Sequence, residues 1–245
     1  MKRAVVLKHV PWEGPARIAE LLREQSYDLD IRALYAGDSI PAEITNQDLL
    51  IVMGGPMGVG DVHLPEYPFL AAEVKLLRQC IALDAPVLGV CLGAQLLAHA
   101  AGAAVYPMRG DDGSRVYEVG WGPIKFEKGS AHDDFLTGLP EEGVVLHWHG
   151  DTFDLPVNAR RFASSRVCKN QGFRLGTRLF GLQFHVETNA QDVAGFIAKD
   201  ADFLVQANGE AAVSRLHEET TRLLGSARDL GDRLLYLIIA AMTKQ

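Results

Sequence analysis

Short apolar runs alternate with helix-like patterns in the first hundred residues. Residues 4–10 and 48–53 are runs rich in Val, Leu and Ile, and residues 17–25 between them show the apolar spacing of an amphipathic helix. The same order recurs in a second amphipathic stretch over residues 69–83 and an apolar run over residues 86–90. This alternation predicts an α/β fold, with a mostly parallel, open, flavodoxin-like sheet covered by helices on both faces.

The pattern changes after Gly102, a residue type that commonly ends helices. Shorter alternating segments follow, and we expect them to be strands that continue or flank the same sheet: residues 115–126, 144–148, 162–168 and 178–185. No internal repeat or low-complexity linker interrupts the chain. The simplest division is one domain over residues 1–200 and a helical C-terminal extension over residues 201–245, packed on the same domain.

The C-terminal part of the chain is predicted to be helical from Thr188 onward. Breaks are expected near Gly209 and Gly225, with a last helix from about Arg228 to the end. Residues 234–242 are apolar nearly all round, which predicts burial either against the domain itself or against a second copy in a homodimer.

The composition of the chain limits the kinds of partner and the cellular compartment that we expect. The 245 residues include 24 Lys and Arg against 31 Asp and Glu, a formal net charge of −7, so no concentrated basic surface suits nucleic acid. No apolar stretch reaches the roughly 20 residues of a membrane span, and Lys8, His9 and Glu13 interrupt the only candidate signal-peptide core. Three widely separated cysteines suggest neither a disulfide framework nor a metal knuckle. We therefore expect a protein of the reducing cytoplasm, without a membrane or nucleic-acid partner.

Cys91 is the first candidate for chemistry, because it follows a predicted buried strand and precedes a predicted helix. A thiol at this position faces the positive end of the helix dipole, which favours the reactive thiolate. Gly89 and Gly93 flank it by two residues on either side, as a sharp turn that presents a nucleophile requires. Gln95 lies one helical turn further on and should face the same way. The alternative is a small buried cysteine that only packs against the sheet.

A candidate base follows in the strand-like segment over residues 178–187. Strand alternation places His185 and Glu187 on one side, where a carboxylate can fix the tautomer of an imidazole that takes a proton from a thiol. Cys91, His185 and Glu187 could thus form a catalytic triad. The alternative is a strand end whose polar residues merely face water.

A glycine-rich loop over residues 53–58 directly follows an apolar strand. In a parallel sheet this loop and the Cys91 turn emerge at the same carboxyl edge. The backbone N–H groups of Gly55 and Leu92 could then receive an oxyanion formed when Cys91 attacks a carbonyl. Phosphate binding is less favoured, because the loop has neither a P-loop nor a G-x-G-x-x-G spacing.

The segment His147-Trp-His149-Gly150-Asp151 admits a metal site as a rival interpretation, with two imidazoles and a carboxylate as ligands. A binuclear hydrolytic site would usually place a further histidine where Thr152 stands. We therefore predict no metal, and expect this segment to line or adjoin the substrate pocket.

Taken together, these motifs resemble the class I (triad-type) glutamine amidotransferase domain. The segment 89–95 matches the G-x-C-x-G-x-Q pattern of that family, and the segment 183–187 matches its Q-F-H-x-E pattern. The segment 53–57 matches the family's oxyanion loop. His149-Gly150-Asp151 resembles the H-G-D stretch in the glutaminase domain of GMP synthase and its free-standing relatives.

The resemblance implies hydrolysis of the glutamine side-chain amide through a γ-glutamyl thioester, with release of ammonia and glutamate. Cys91 would attack, His185 would move the proton and Glu187 would orient His185. The further roles implied are oxyanion binding by Gly55 and Leu92, and glutamyl binding by Gln95, His149, Gly150 and Asp151. No metal or organic cofactor is required.

One departure from the GMP synthase pattern leaves the use of ammonia open. No Ser/Gly-rich nucleotide loop of an ATP-pyrophosphatase domain follows residue 200. Either a separate synthetase subunit would accept the ammonia, or the protein would act by itself as a γ-glutamyl peptide hydrolase. A catalytically silent or partner-activated module of the same fold is the third alternative.

Overall fold

The computed structural model describes residues 2–127 and 135–244. Its main feature is a nine-stranded sheet in the order β2-β1-β3-β4-β11-β10-β9-β6-β7. The strands are β1 Lys2–Lys8, β2 Tyr27–Ala33, β3 Leu49–Val52, β4 Val87–Val90, β6 Glu118–Phe126, β7 Glu142–His149, β9 Ala159–Ser164, β10 Gly172–Leu175 and β11 Leu179–Leu182. Two short strands, β5 Val105–Pro107 and β8 Asp151–Phe153, pair separately.

The sheet has a parallel half and an antiparallel half. Strands β2, β1, β3, β4 and β11 are joined in parallel, and from β11 onward each neighbouring pair is antiparallel. The predicted parallel arrangement thus holds for the half that carries Cys91, and the later segments continue the same sheet as expected. The carboxyl ends of β3, β4 and β11 lie side by side, which brings three of the sequence motifs to one edge.

The residues that the structure describes also form five helices, which cover both faces of the sheet. They are α1 Ala16–Glu24, α2 Pro68–Ala82, α3 Leu92–Ala100, α4 Ala190–Asn208 and α5 Ala212–Thr243, with short 3₁₀ turns at Leu34–Ala36 and Val59–His63. Alternate residues of β1 and β3 point to opposite faces: one set packs with α1 and α5, the other with α2 and α3. The predicted α/β class with a helical C-terminal region is therefore confirmed. None of these helices, in the part of the chain described, is long and apolar enough to cross a lipid bilayer.

The C-terminal helix packs into the core of its own chain. Leu234, Leu235, Ile238, Ile239 and Met242 are fully buried in the cluster formed by α1 and the sheet. Of the two predicted partners for the apolar segment, the domain itself is thus the one that covers this face. A homodimer through other surfaces remains a prediction.

Some elements differ from the expectations. The break predicted at Gly225 is wrong, because α5 runs through it: the glycine is exposed, and a long helix tolerates the roughly 1 kcal/mol that a single glycine costs. The break at Gly209 is present, with φ +83°. Four of the described strands were not predicted: β2 is an edge strand with charged alternate residues, and β5, β8 and β10 have only three or four residues each.

Candidate active site

Cys91 stands at the sharp turn between β4 and α3. Its backbone has φ 51° and ψ −109°, a conformation of the kind that costs a non-glycine residue about 1–3 kcal/mol. Glycines on both sides make the turn feasible: a Cβ atom on Gly89 would collide with the backbone of Gly93, and one on Gly93 would collide with the carbonyl group of Val52. The turn therefore presents the thiol at the carboxyl edge of the parallel strands.

The thiol of Cys91 is almost fully buried and faces polar groups. Its Sγ lies 3.7 Å from the carbonyl oxygen of Trp148 and 3.7 Å from Nε2 of Gln183. The N–H group of Cys91 donates to the carbonyl oxygen of Leu182 at 2.7 Å, which ties the turn to the end of β11. Leu92 begins α3 directly after the thiol, so its N–H group has no acceptor in a preceding helical turn.

His185 and Glu187 form a buried pair next to this thiol. Nδ1 of His185 donates to Oε1 of Glu187 at 2.7 Å, and Oε2 of Glu187 accepts the N–H group of Val186 at 3.0 Å. Burial by itself would lower the pKa of His185, but the charge of Glu187 and a hydrogen bond to Cys91 outweigh it and raise that pKa well above its ordinary value. Because Nδ1 is bound to Glu187, the nitrogen that faces Cys91 is Nε2.

The chain direction after β11 explains this placement. Strand β11 ends at Leu182, and His185 then pairs with Leu146 in an isolated bridge. Phe184 and Val186 turn into the hydrophobic core beside α5. The alternation expected from the sequence therefore continues past the end of the strand, and it places the imidazole and the carboxylate on the opposite side.

The glycine-rich loop after β3 runs directly past the nucleophile turn. A Cβ atom on Gly55 would lie 2.9 Å from Cβ of His9 and 3.3 Å from Cδ2 of Leu92, so the loop approaches α3 as closely as only glycine allows. His9 holds this loop in place through its two ring nitrogens. Nδ1 donates to the carbonyl oxygen of Gly54 at 3.0 Å, and Nε2 lies 2.9 Å from Oε2 of Glu73. Burial would lower the pKa of His9, yet the charge of Glu73 raises it overall.

Gln95 lies at the side of the cavity, one turn along α3 from Cys91. Its Nε2 donates to Oε1 of Gln183 at 3.1 Å, and Nε2 of Gln183 in turn points to the thiol. The two amides therefore form a short chain that ends at the nucleophile. Gln183 was visible in the sequence only as a member of a motif, and its contact with Cys91 depends on the tertiary structure.

The segment His149-Gly150-Asp151 also lines the cavity. Nδ1 of His149 donates to the carbonyl oxygen of Asp151 at 3.0 Å. The carboxylate of Asp151 accepts a hydrogen bond from Arg115 at 2.9 Å, and a Cβ atom on Gly150 would lie 2.7 Å from the ring of Tyr117. All three residues therefore line the cavity, at the point where the chain leaves β7.

A second polar cluster lies behind this wall and includes the residues considered as metal ligands. His147, His149 and Glu118, rather than Asp151, bring potential ligand atoms within 4.8 Å of one another. Nε2 of Gln171 lies 2.6 Å from Oε2 of Glu118 and 3.3–3.4 Å from one ring nitrogen of each histidine. The N–H groups of this amide thus point to the atoms that would otherwise bind a metal cation. We interpret the cluster as a hydrogen-bonded support for the His149 turn.

The cavity in front of Cys91 has a volume of about 260 Å³. This is just below the roughly 300–1,000 Å³ of sites for drug-sized ligands, and it suits a ligand of amino-acid size with a short extension. Besides the sequence-predicted residues, five further side chains line it: Glu13, Arg115, Trp148, Asp200 and Phe203. Trp148 lies within the His147–Asp151 segment, whereas no local motif marks the other four: Asp200 and Phe203 lie on α4, and Glu13 and Arg115 lie in two separate loops.

Glu13 is the most unusual of these additions. Burial raises the pKa of its carboxyl group to about 7, and the neighbouring charges of His185 and Glu187 act on it in opposite directions. A Cβ atom on Gly54 would collide with the Glu13 carboxylate and touch Cβ of Cys91. The carboxylate of Glu13 and the Cys91 side chain therefore both lie beside Gly54, within about two van der Waals contacts of each other.

Comparison with known proteins shows the family of this chain. The family profile described as "Glutamine amidotransferase class-I" matches residues 16–200. That match spans well over half of the chain, and the chain therefore belongs to the class-I glutamine amidotransferase family. The family's profile thus covers the Cys91 turn, the His185–Glu187 pair and the first part of α4.

Individual relatives cover most of the chain. The glutamine amidotransferase-like protein YfeJ of Salmonella typhimurium is 28% identical over 212 residues, which are 86% of each protein. A separate subunit of the glutamine-hydrolyzing GMP synthase of Methanoregula boonei is 29% identical over 69% of this chain and 82% of its own. The chain spans about 30% of the longer GMP synthases that it matches.

A solved structure extends the similarity to the C-terminal helices. A glutamine amidotransferase from Thermotoga maritima superposes with a TM-score of 0.82 and 29% identity, over 99% of this chain and 98% of its own. Helices α4 and α5 are therefore part of an architecture that also occurs elsewhere.

Proposed function

We propose that the protein hydrolyses a γ-glutamyl amide, of which glutamine is the simplest, through a thioester on Cys91. The observation that carries the proposal is the position of His185, bound to Glu187 through Nδ1 and facing Cys91 with its other nitrogen. This is the arrangement that an imidazole needs to take a proton from a nucleophile and give it to a leaving amine.

The proposed reaction uses each of these groups in turn. Nε2 of His185 takes the thiol proton while Sγ of Cys91 bonds to the amide carbon, and the developing oxyanion faces the N–H groups of Gly55 and Leu92. The C–N bond then breaks, and the leaving nitrogen takes the proton from His185. Water, deprotonated by His185, attacks the thioester, and glutamate leaves as the thiol is restored.

Binding of the glutamyl group is assigned to the part of the cavity that Arg115 lines. Among the residues described around the cavity, Arg115 is the only Lys or Arg, and its guanidinium group suits the α-carboxylate of a substrate. Further contacts to the glutamyl group would come from other residues that line the cavity: Gln95, His149, Gly150 and Asp151.

Two further assignments follow from this proposal. The similarity to a separate GMP synthase subunit makes an ammonia-accepting synthetase one candidate partner. The alternative, a γ-glutamyl peptide hydrolase without such a partner, is favoured by the extension of the cavity to Asp200 and Phe203. Because all three cysteines are free thiols, we place the protein in a reducing cytoplasm.

The test is glutamate release by the purified chain from glutamine and from a panel of γ-glutamyl peptides. Cys91→Ala should abolish release from every substrate. Cys80→Ala is the matched control, since burial raises the pKa of Cys80 to about 12 and keeps that thiol unreactive. Residual turnover in Cys91→Ala would refute the thioester mechanism. If the wild type releases no glutamate from any substrate, a partner-activated or non-catalytic module is favoured.

A further inference from the structure

The carboxylate of Glu13 borders the cavity, and in the described part of the chain it forms no ion pair at contact distance. It is more than nine-tenths buried, and among residues 2–127 and 135–244 it accepts no hydrogen bond from any donor. A buried carboxylate is costly unless it is paired or hydrogen-bonded. Its position against Gly54, beside the nucleophile, therefore points to a ligand group that completes its interactions.

A second carboxylate, that of Asp200, reaches the same cavity from α4. The helix is broken at this residue, where φ is −140° and ψ is 32°. Nε1 of Trp148 donates to Oδ2 of Asp200 at 2.8 Å and holds the side chain in place. Only one of its two carboxylate oxygens is used in this bond, and Glu13 and Asp200 are close enough for their charges to interact.

Two aromatic rings stand beside these acids. The side chains of Trp148 and Phe203 both line the cavity, with ring centroids 6.4 Å apart. The faces of aromatic rings attract cations, and this attraction is strongest where water is excluded. Two carboxylates and two aromatic rings form a subsite whose chemistry matches an ammonium group.

The subsite lies on the side of the leaving group. In the proposed reaction His185 must protonate the leaving nitrogen, so that nitrogen lies toward His185. His185 is also the charged group that interacts most strongly with Glu13. Arg115 and Asp151, assigned above to the glutamyl group, form an ion pair with each other and line the same cavity.

We propose that Glu13 and Asp200 bind a positively charged ammonium group carried by the leaving amine. The substrate class would then be γ-glutamyl conjugates of amines that bear a second, cationic nitrogen, such as diamines. This inference rests on the proposed γ-glutamyl hydrolase function. It adds a specificity for the leaving group that the triad by itself does not provide.

The test compares two conjugates of the same size. One is the γ-glutamyl conjugate of 1,4-diaminobutane, and the other is that of n-pentylamine, in which a methyl group replaces the terminal ammonium group. The wild type should prefer the cationic conjugate in kcat/KM. Glu13→Gln should reduce this preference about 10- to 100-fold, the value of a charge-assisted hydrogen bond in a buried site, and Asp200→Asn should also reduce it.

The control variant is Asp202→Asn, which removes an equal charge from an exposed residue of the same helix. It should keep the wild-type preference, because solvent screens an exposed charge. A wild type that does not prefer the cationic conjugate would overturn the proposal. An equal decrease in kcat/KM for both conjugates in Glu13→Gln would also overturn the proposal. Glu13 would then bind the α-ammonium group that both conjugates share.

A binding measurement separates this proposal from the proposed function. Cys91→Ala, titrated calorimetrically with each conjugate, should bind the cationic one more tightly even if the wild type hydrolyses neither. Addition of Glu13→Gln should remove that difference in Kd. Equal affinities in Cys91→Ala would refute the ammonium subsite, whereas absence of turnover with a retained difference would refute only the hydrolase function.

Discussion

At the scale of single residues, two buried carboxylates near Cys91 have contrasting surroundings. Glu187 accepts hydrogen bonds from His185 and from the backbone of Val186, so its charge is well supported. Glu13 is buried without such donors in the described part of the chain, and its pKa rises to about 7. Glu187 therefore stabilises a protonated His185, whereas we propose that Glu13 binds a cationic group of the substrate.

Glu187→Gln tests the role of the first carboxylate. Loss of its charge lets burial lower the pKa of His185, and the amide no longer stabilises the protonated ring. We expect kcat for γ-glutamyl hydrolysis to fall about 10²- to 10⁴-fold, with little change in fold by circular dichroism. Glu66→Gln, at an exposed position, is the control. Wild-type kcat in Glu187→Gln would contradict the assignment.

Glu13→Gln tests the cost of the second carboxylate. Its pKa is raised from 4.5 to about 7, so the folded state holds a proton that the unfolded state has lost between these pH values. Stability should therefore fall as pH rises through this range, by about 2–3 kcal/mol in wild type, and this fall should be absent in the variant. Urea unfolding of both proteins at several pH values measures it. If the stability of the two proteins changes with pH in the same way, the pKa of Glu13 is not raised. The charged groups that face Glu13 are His185, Glu187, His9 and Asp200.

At the scale of elements, α5 connects the hydrophobic core with the active site. Its apolar face packs on the sheet beside α1, and Gly231 approaches the backbone of Val186 between His185 and Glu187. A Cβ atom at Gly231 would lie 2.6 Å from the carbonyl oxygen of Val186. The same helix carries Gly225 on its exposed side, where a Cβ atom would meet nothing within 4 Å.

These two glycines form a matched pair of substitutions in one helix. Gly225→Ala should raise the free energy of unfolding by about 1 kcal/mol, because alanine has the higher helix propensity and no clash arises. Gly231→Ala should lower it by about 1–3 kcal/mol and also reduce kcat, because the segment 185–187 must shift. Denaturant unfolding and turnover assays measure both effects. Similar outcomes for the two variants would refute the close approach of α5 to the triad.

Prediction of elements from the sequence succeeded where the pattern was long and regular. The observed bounds differ from the predicted ones by at most two residues for six elements: helices α1, α2 and α3 and strands β1, β3 and β4. The edge strand β2 was missed because its alternate residues are charged, and a four-residue strand such as β10 leaves too short a pattern. The break expected at Gly225 failed because helix propensity is outweighed by packing along the rest of α5.

At the scale of the whole molecule, one continuous architecture joins the predicted domain and the predicted extension. Helix α4 runs through residue 200, where the division was expected, and Asp200 and Phe203 on either side of it line the same cavity. We keep the division into residues 1–200 and 201–245 as a proposal about the family's minimal catalytic unit. The cavity itself is built from both parts.

Truncation before Leu230 tests how far the first part depends on the second. The shortened chain loses residues of α5 that are fully buried against the sheet, so we expect loss of cooperative unfolding and aggregation in light scattering. A chain that ends at Thr243 is the control. Unchanged mass and solubility of the truncated chain would contradict this expectation. The mass of the full-length protein in the same experiment decides whether the 26.7 kDa chain forms the predicted homodimer.

The sequence by itself determined the α/β class, the Cys91 turn and the His185–Glu187 pair, because each depends on local spacing: helical and strand periodicity, and glycines next to a nucleophile. Only the tertiary structure placed Glu13, Arg115 and Asp200 around the cavity. These residues come from separate segments with no shared period or motif, and their proximity depends on how loops and helices pack over the sheet edge. The proposed leaving-group specificity therefore depends on the tertiary structure, whereas the residues of the proposed triad could be predicted from the sequence.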